Sequence, residues 1–115
     1  MRITSDLFVS ALVRRVFGGG GFAVVLRRGA TEAGAVFIVT RDRFGGAALY
    51  GPAAQSAYDE GRPSDRRFTL IGEKLDEQAL DARLAREQRF DSDIWVVEIE
   101  PGGTPLADLV ELTTP

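Results

Sequence analysis

FAVVLRRGATEAGAVFIVTRDRFGGAALY, residues 22–50, holds three apolar runs separated by turn chemistry. Phe22–Arg27, Ala35–Arg41 and Ala47–Tyr50 are rich in β-branched and aromatic residues, which favour a pleated strand. Gly29–Gly34 reads as a turn, and Asp42-Arg43-Phe44-Gly45-Gly46 as a short hairpin connection. Three strands with short links predict an antiparallel meander. The first two strands are apolar on both faces, Phe22, Val24 and Leu26 against Ala23 and Val25, then Phe37 and Val39 against Val36 and Ile38. Such strands belong to a sheet centre covered at least partly on both sides.

Upstream, Val9, Leu12, Val13, Val16 and Phe17 follow the spacing of a buried helical stripe, widened by Phe8. A helix is predicted over Asp6–Phe17 with Ser5 as its N-cap. Gly18–Gly21 ends it. Four consecutive glycines invite a phosphate-loop reading, but that needs a strand before them and Lys-Ser/Thr and a helix after. Here a helix precedes and a strand follows, so cap and turn is the better reading.

Downstream, Gly51–Asp65 has no clear pattern, although Pro52 can start a short helix through Gln55 and Tyr58. A strand is predicted at Arg67–Ile71. A helix follows at Glu77–Arg89, with Asp76 as N-cap and Leu75 and Leu80 as a hydrophobic staple. Asp93–Glu100 is a strand carrying Trp95, Val97 and Ile99 on one face, and Trp95 is expected in the core. After Pro101-Gly102-Gly103, residues 101–115 form a C-terminal extension. In it Thr104 as N-cap, Pro105 at the first helical position, and Leu106, Leu109 and Val110 on one side predict a last helical turn. So short a helix needs its own domain or a partner to pack on. The whole is a single α+β domain over 1–115. It has an antiparallel sheet of about five strands, an N-terminal helix and a second helix before the last strand.

Composition excludes much chemistry. The 115 residues contain no histidine and no cysteine. A Ser-His-Asp or Cys-His site, a structural zinc site and a disulfide framework are therefore ruled out. Carboxylates, two tyrosines, one lysine and arginines remain for catalysis, so no catalytic residue, cofactor or metal is assigned. Asp59-Glu60 and Asp91-x-Asp93 are the acidic pairs. Adjacent residues in a Gly/Pro loop are poorly placed to split their pKa values, and Asp91-Ser92-Asp93 reads as a turn. No run approaches the roughly 20 apolar residues of a membrane span. Leu7–Phe17 is broken by Ser10, Arg14 and Arg15, unlike a signal peptide. A cytoplasmic protein with no membrane partner is expected.

The net charge is -3. Up to residue 72 there are ten arginines against six acids; beyond it Lys74 and three arginines face 11 acids. Arginines recur in pairs: Arg14-Arg15, Arg27-Arg28, Arg41 with Arg43, and Arg66-Arg67. In a meander Arg14, Arg15, Arg41 and Arg43 fall at one rim, and Arg27, Arg28, Arg66 and Arg67 at the other. Guanidinium forks suit phosphate and carboxylate. The plainer reading is that these arginines solvate sheet edges and pair with the acidic second half. Tyr50 and Gln55 are candidates to line a pocket, and Phe44, Tyr50 and Tyr58 to stack on bases. A pI near 4.9 and the lack of a recognised motif argue against nucleic acid.

The opening Met-Arg-Ile-Thr-Ser-Asp with Val-Ser-Ala-Leu-Val-Arg-Arg-Val-Phe, then Arg-Arg-Gly-Ala-Thr-Glu-Ala-Gly-Ala-Val-Phe, Leu-Tyr-Gly-Pro-Ala and Asp-Ile-Trp-Val-Val-Glu-Ile-Glu, form a recognisable series. In these segments the chain resembles one short alphaproteobacterial family, domain of unknown function number 1491. The resemblance spans essentially the whole chain and implies no activity. The expected function is a non-enzymatic protein-interaction module. It would contact a protein partner or its own copy through a sheet edge, the 51–65 loop or the C-terminal apolar turn. The alternative is a small-anion or nucleic-acid binder using the arginine rims.

Overall fold

The computed structural model describes residues 3–54 and 66–114. In chain order the elements are α1 (Ser5–Gly18), β1 (Phe22–Arg27), β2 (Val36–Arg41), β3 (Ala47–Pro52) and β4 (Arg67–Leu75). Then follow α2 (Glu77–Phe90), β5 (Trp95–Glu100), α3 (Leu106–Leu109) and β6 (Glu111–Thr113). The fold is α+β, a six-stranded sheet ordered β1-β5-β2-β3-β4-β6.

Two expectations about the sheet are corrected. It is mixed rather than antiparallel, because β5 runs parallel to β2 and β6 parallel to β4. And β1 does not pair with β2: β5 is inserted between them, antiparallel to β1. Only β2, β3 and β4 form the meander. The reason lies in competition for the centre. Both β1 and β5 are apolar on two faces, but β5 carries Trp95 and is preceded by Ile94. Burying Ile94, Trp95, Val96, Val97 and Ile99 removes more apolar surface than burying β1 would. The helix α2 links β4 to β5 and lets β5 return parallel to β2.

The sheet is covered on both faces. On one side Val9, Leu12 and Val16 of α1 pack on Trp95, Val97, Ile99, Val36, Ile38 and Phe68. On the other side Leu80 of α2 joins Phe37, Val39, Leu49, Ile94 and Val96. The alternation expected along β5 thus sorts its residues between two cores. Trp95 is 1% exposed, and its indole N–H donates to the Ala30 carbonyl at 2.8 Å.

Helix α1 begins one residue earlier than expected. Thr4, not Ser5, is its N-cap, accepting from the Leu7 amide. Ser5 is instead buried in the first turn, and its hydroxyl donates to the Gly34 carbonyl. The glycine run at the end of α1 forms a close-packed corner. Gly20 has φ +83°, a left-handed conformation. The Gly103 amide donates to the Gly19 carbonyl at 2.8 Å, and a Cβ on Gly102 would meet the backbone of Gly20 and Gly21. The run lets the exit of β5 cross the helix end at backbone contact.

The C-terminal segment is built into the domain. Leu109 and Val110 are buried against the α1 side of the core, and β6 extends the sheet beyond β4. Its helical turn starts at Leu106, with Pro105 at the cap position rather than inside the helix.

Candidate interaction surface

Strand β1 closes one side of the sheet, with no described strand beyond it. Its two faces differ. Ala23 and Val25 turn toward α1 and join that core. Phe22, Val24 and Leu26 are 56%, 39% and 50% exposed. They lie on the face that α2 covers elsewhere, but α2 packs over β3 and β4 and leaves β1 bare. Phe17, from the last turn of α1, is also exposed and meets the Phe22 ring edge-on at 5.6 Å. The expectation that β1 is covered on both sides is therefore overturned, and so is the inward placing of Phe17. Both sit at a margin that α2 does not reach.

A bulge marks the end of β1. The register with β5 shifts between Val25 and Arg27, so that Arg27 stands opposite Val96 and Leu26 is the extra residue. The shift matters for the arginines. Val96 belongs to the α2-side core, which puts Arg27 on that face. Arg28 falls on the α1 face, where its guanidinium stacks over Trp95 at 5.0 Å and bonds Asp6 at 3.2 Å.

The exposed face of β1 is bordered by acid. Glu98 is level with Val24 and Glu100 with Phe22 on the neighbouring strand. Glu98 holds Arg41 at 3.2 Å, and Arg41 also pairs with Glu77 at the start of α2. Burial lowers the Arg41 pKa, but the two carboxylates outweigh it and the net shift is upward. The opposite side of the sheet, β6, is only three residues long and its Glu111 pairs with Arg67 at 3.2 Å. A short, charged edge discourages pairing, whereas a six-residue apolar one invites it.

Several of the other arginines have internal work. Arg27 donates to the Ser92 carbonyl at 2.6 Å. Arg66 donates to Ser5 Oγ and the Ile3 carbonyl and lies over the Phe8 ring at 5.3 Å. Arg43 lies over Phe44 in the β2–β3 hairpin, and Arg14 and Arg15 are exposed on α1. Arg15 and Arg66 do share a groove of about 410 Å³ between α1 and α3. Asp108 and Glu111 line it too, so it is not a cationic site. Tyr50 is half-buried, packed against the α1-side core. Gln55 and Tyr58 lie outside the described residues, as do Asp59 and Glu60. Asp91 accepts from the Asp93 amide at 2.9 Å, a turn as expected. No helix among the described residues is long and apolar enough to cross a membrane.

The family profile described as a protein of unknown function (DUF1491) matches residues 3–106. The chain belongs to the DUF1491 family. It is similar to the solution structure of a protein from A. tumefaciens, at 46% identity over all of this chain and 98% of that one, with a TM-score of 0.83. It is also similar to the crystal structure of a DUF1491 protein from Caulobacter crescentus, at 34% identity over 98% of this chain and 99% of that one, TM-score 0.73. The NMR structure of a Caulobacter crescentus DUF1491 protein gives 35% identity, 100% and 98% coverage and the same TM-score. No curated protein matches the chain.

Proposed function

We propose that this DUF1491 protein is a non-enzymatic, cytoplasmic protein-interaction module whose docking surface is the outer edge of β1. The observation that carries this is the stripe Phe22–Val24–Leu26, apolar and exposed on a terminal strand. An added strand would satisfy the outward backbone groups and set its own side chains beside the stripe as cross-strand neighbours. Of the three surfaces the sequence offers, the C-terminal turn already spends Leu109 and Val110 on its own core. The 51–65 segment lies largely outside the described residues. The arginine rims support the anion reading less, since Arg28, Arg41 and Arg67 are held by carboxylates of the same chain.

The test is photo-crosslinking in the native cell with a benzophenone side chain replacing Phe22. Phe44, 85% exposed in the β2–β3 hairpin, serves as the control position. The expected outcome is a discrete protein adduct from position 22 and none from 44. Adducts from neither position, or from both alike, would overturn the proposal.

A further inference from the structure

We infer that the occupant of the β1 edge is a second copy of this chain, paired antiparallel about a two-fold axis at Val24. The inference rests on the reading of β1 as a docking edge and names its partner. Two features of the edge are self-complementary, and a third sets the strength of the pairing.

The first is the stripe itself. Phe22, Val24 and Leu26 run large, small, large, symmetric about Val24. Antiparallel pairing centred there sets Phe22 of each copy opposite Leu26 of the other, with Val24 against Val24. All six side chains then lie on one face of a continuous sheet. A slip of one residue would set the stripe level with the α1-facing residues and put the two stripes on opposite faces.

The second is charge. Glu100 is exposed and level with Phe22, at the start of β1. Arg27 stands at the other end of β1 on the same face, opposite Val96. Reversing the strand brings Arg27 of one copy to within one residue of the level of Glu100 in the other. Two strand spacings, roughly 10 Å, separate their backbones, a gap that the glutamate and an arginine exchanging its Ser92 carbonyl for the carboxylate can close. The symmetry makes the pair twice.

The third is what limits the surface. The bulge at Leu26 ends regular pairing, so each copy offers only about five residues of ladder. Four half-exposed apolar side chains are a small patch beside those of obligate dimers. The association is therefore reversible and governed by concentration.

Sedimentation velocity of the full chain, from low micromolar to near-millimolar concentration, tests this. A monomer–dimer equilibrium is expected. Val24→Asp sets two carboxylates against each other at the axis and should weaken dimerisation more than about tenfold. Glu100→Arg alone should weaken it, and Glu100→Arg with Arg27→Glu should restore it. Val24 is 39% exposed and the circular dichroism of the variant should match the parent; if it does not fold, the exposed Glu100→Arg carries the test. A chain that stays monomeric throughout, or a dimer indifferent to these changes, overturns the second copy. The docking reading would then stand or fall separately, on whether Phe22 crosslinks to a different protein.

Discussion

Replacing Trp95 tests how the α1-side core and the β1 bulge are joined. The indole is 1% exposed, donates to Ala30 at 2.8 Å and lies under the Arg28 guanidinium at 5.0 Å. Trp95→Ala removes a large buried side chain from the middle of the sheet, which costs about 3–5 kcal/mol. Trp95→Phe keeps most of the apolar volume but strands the Ala30 carbonyl, for about 1–3 kcal/mol. Arg28→Ala loses a largely exposed cation–π contact and the Asp6 pair, together about 1 kcal/mol. Urea unfolding followed by far-UV circular dichroism reads all three, since Trp95 is the only fluorescent indole. With a slope of about 1.5 kcal/mol/M, Trp95→Ala lowers the midpoint by roughly 2.5 M. The order should be Trp95→Ala, then Trp95→Phe, then Arg28→Ala. A loss below about 1 kcal/mol for Trp95→Ala would refute the reasoning.

Further outcomes follow from the same packing. Leu109→Ala should destabilise by about 2–5 kcal/mol in thermal or urea unfolding, because the C-terminal turn is part of the core; no change would mean the turn is detached. Gly102→Ala should destabilise by more than about 1 kcal/mol, since its Cβ would meet the Gly20 and Gly21 backbone, while Gly18→Ala, with open space around it, should be tolerated. Lys74, at φ +54° at the end of β4, should be replaceable by glycine with a gain of about 0.5–1 kcal/mol in unfolding free energy.

The helices and strands were legible because each carries its own period. The stripe Val9, Leu12, Val16 marks α1, and Asp76 with its bond to the Ala79 amide marks the start of α2. Strand order was not legible, because adjacency depends on which strand buries most. The two-faced apolar pattern of Phe22–Arg27 looked central, and only the insertion of β5 reveals it as an edge. The candidate surface was hidden for the same reason: an exposed apolar strand and a buried one have the same sequence. The bulge at Leu26, which sends Arg28 to Trp95, leaves no glycine or proline signal. The strand β6, three residues ending a polar tail, is too short for any pattern to announce.

The most direct test of the central claim is amide hydrogen exchange over residues 22–27, compared between dilute isolated protein and the same protein at high concentration in extract of its native cell. The account predicts slower exchange in extract, concentrated in this one segment. Unchanged exchange there, or protection gained instead along the β6 edge at 111–113, would contradict it.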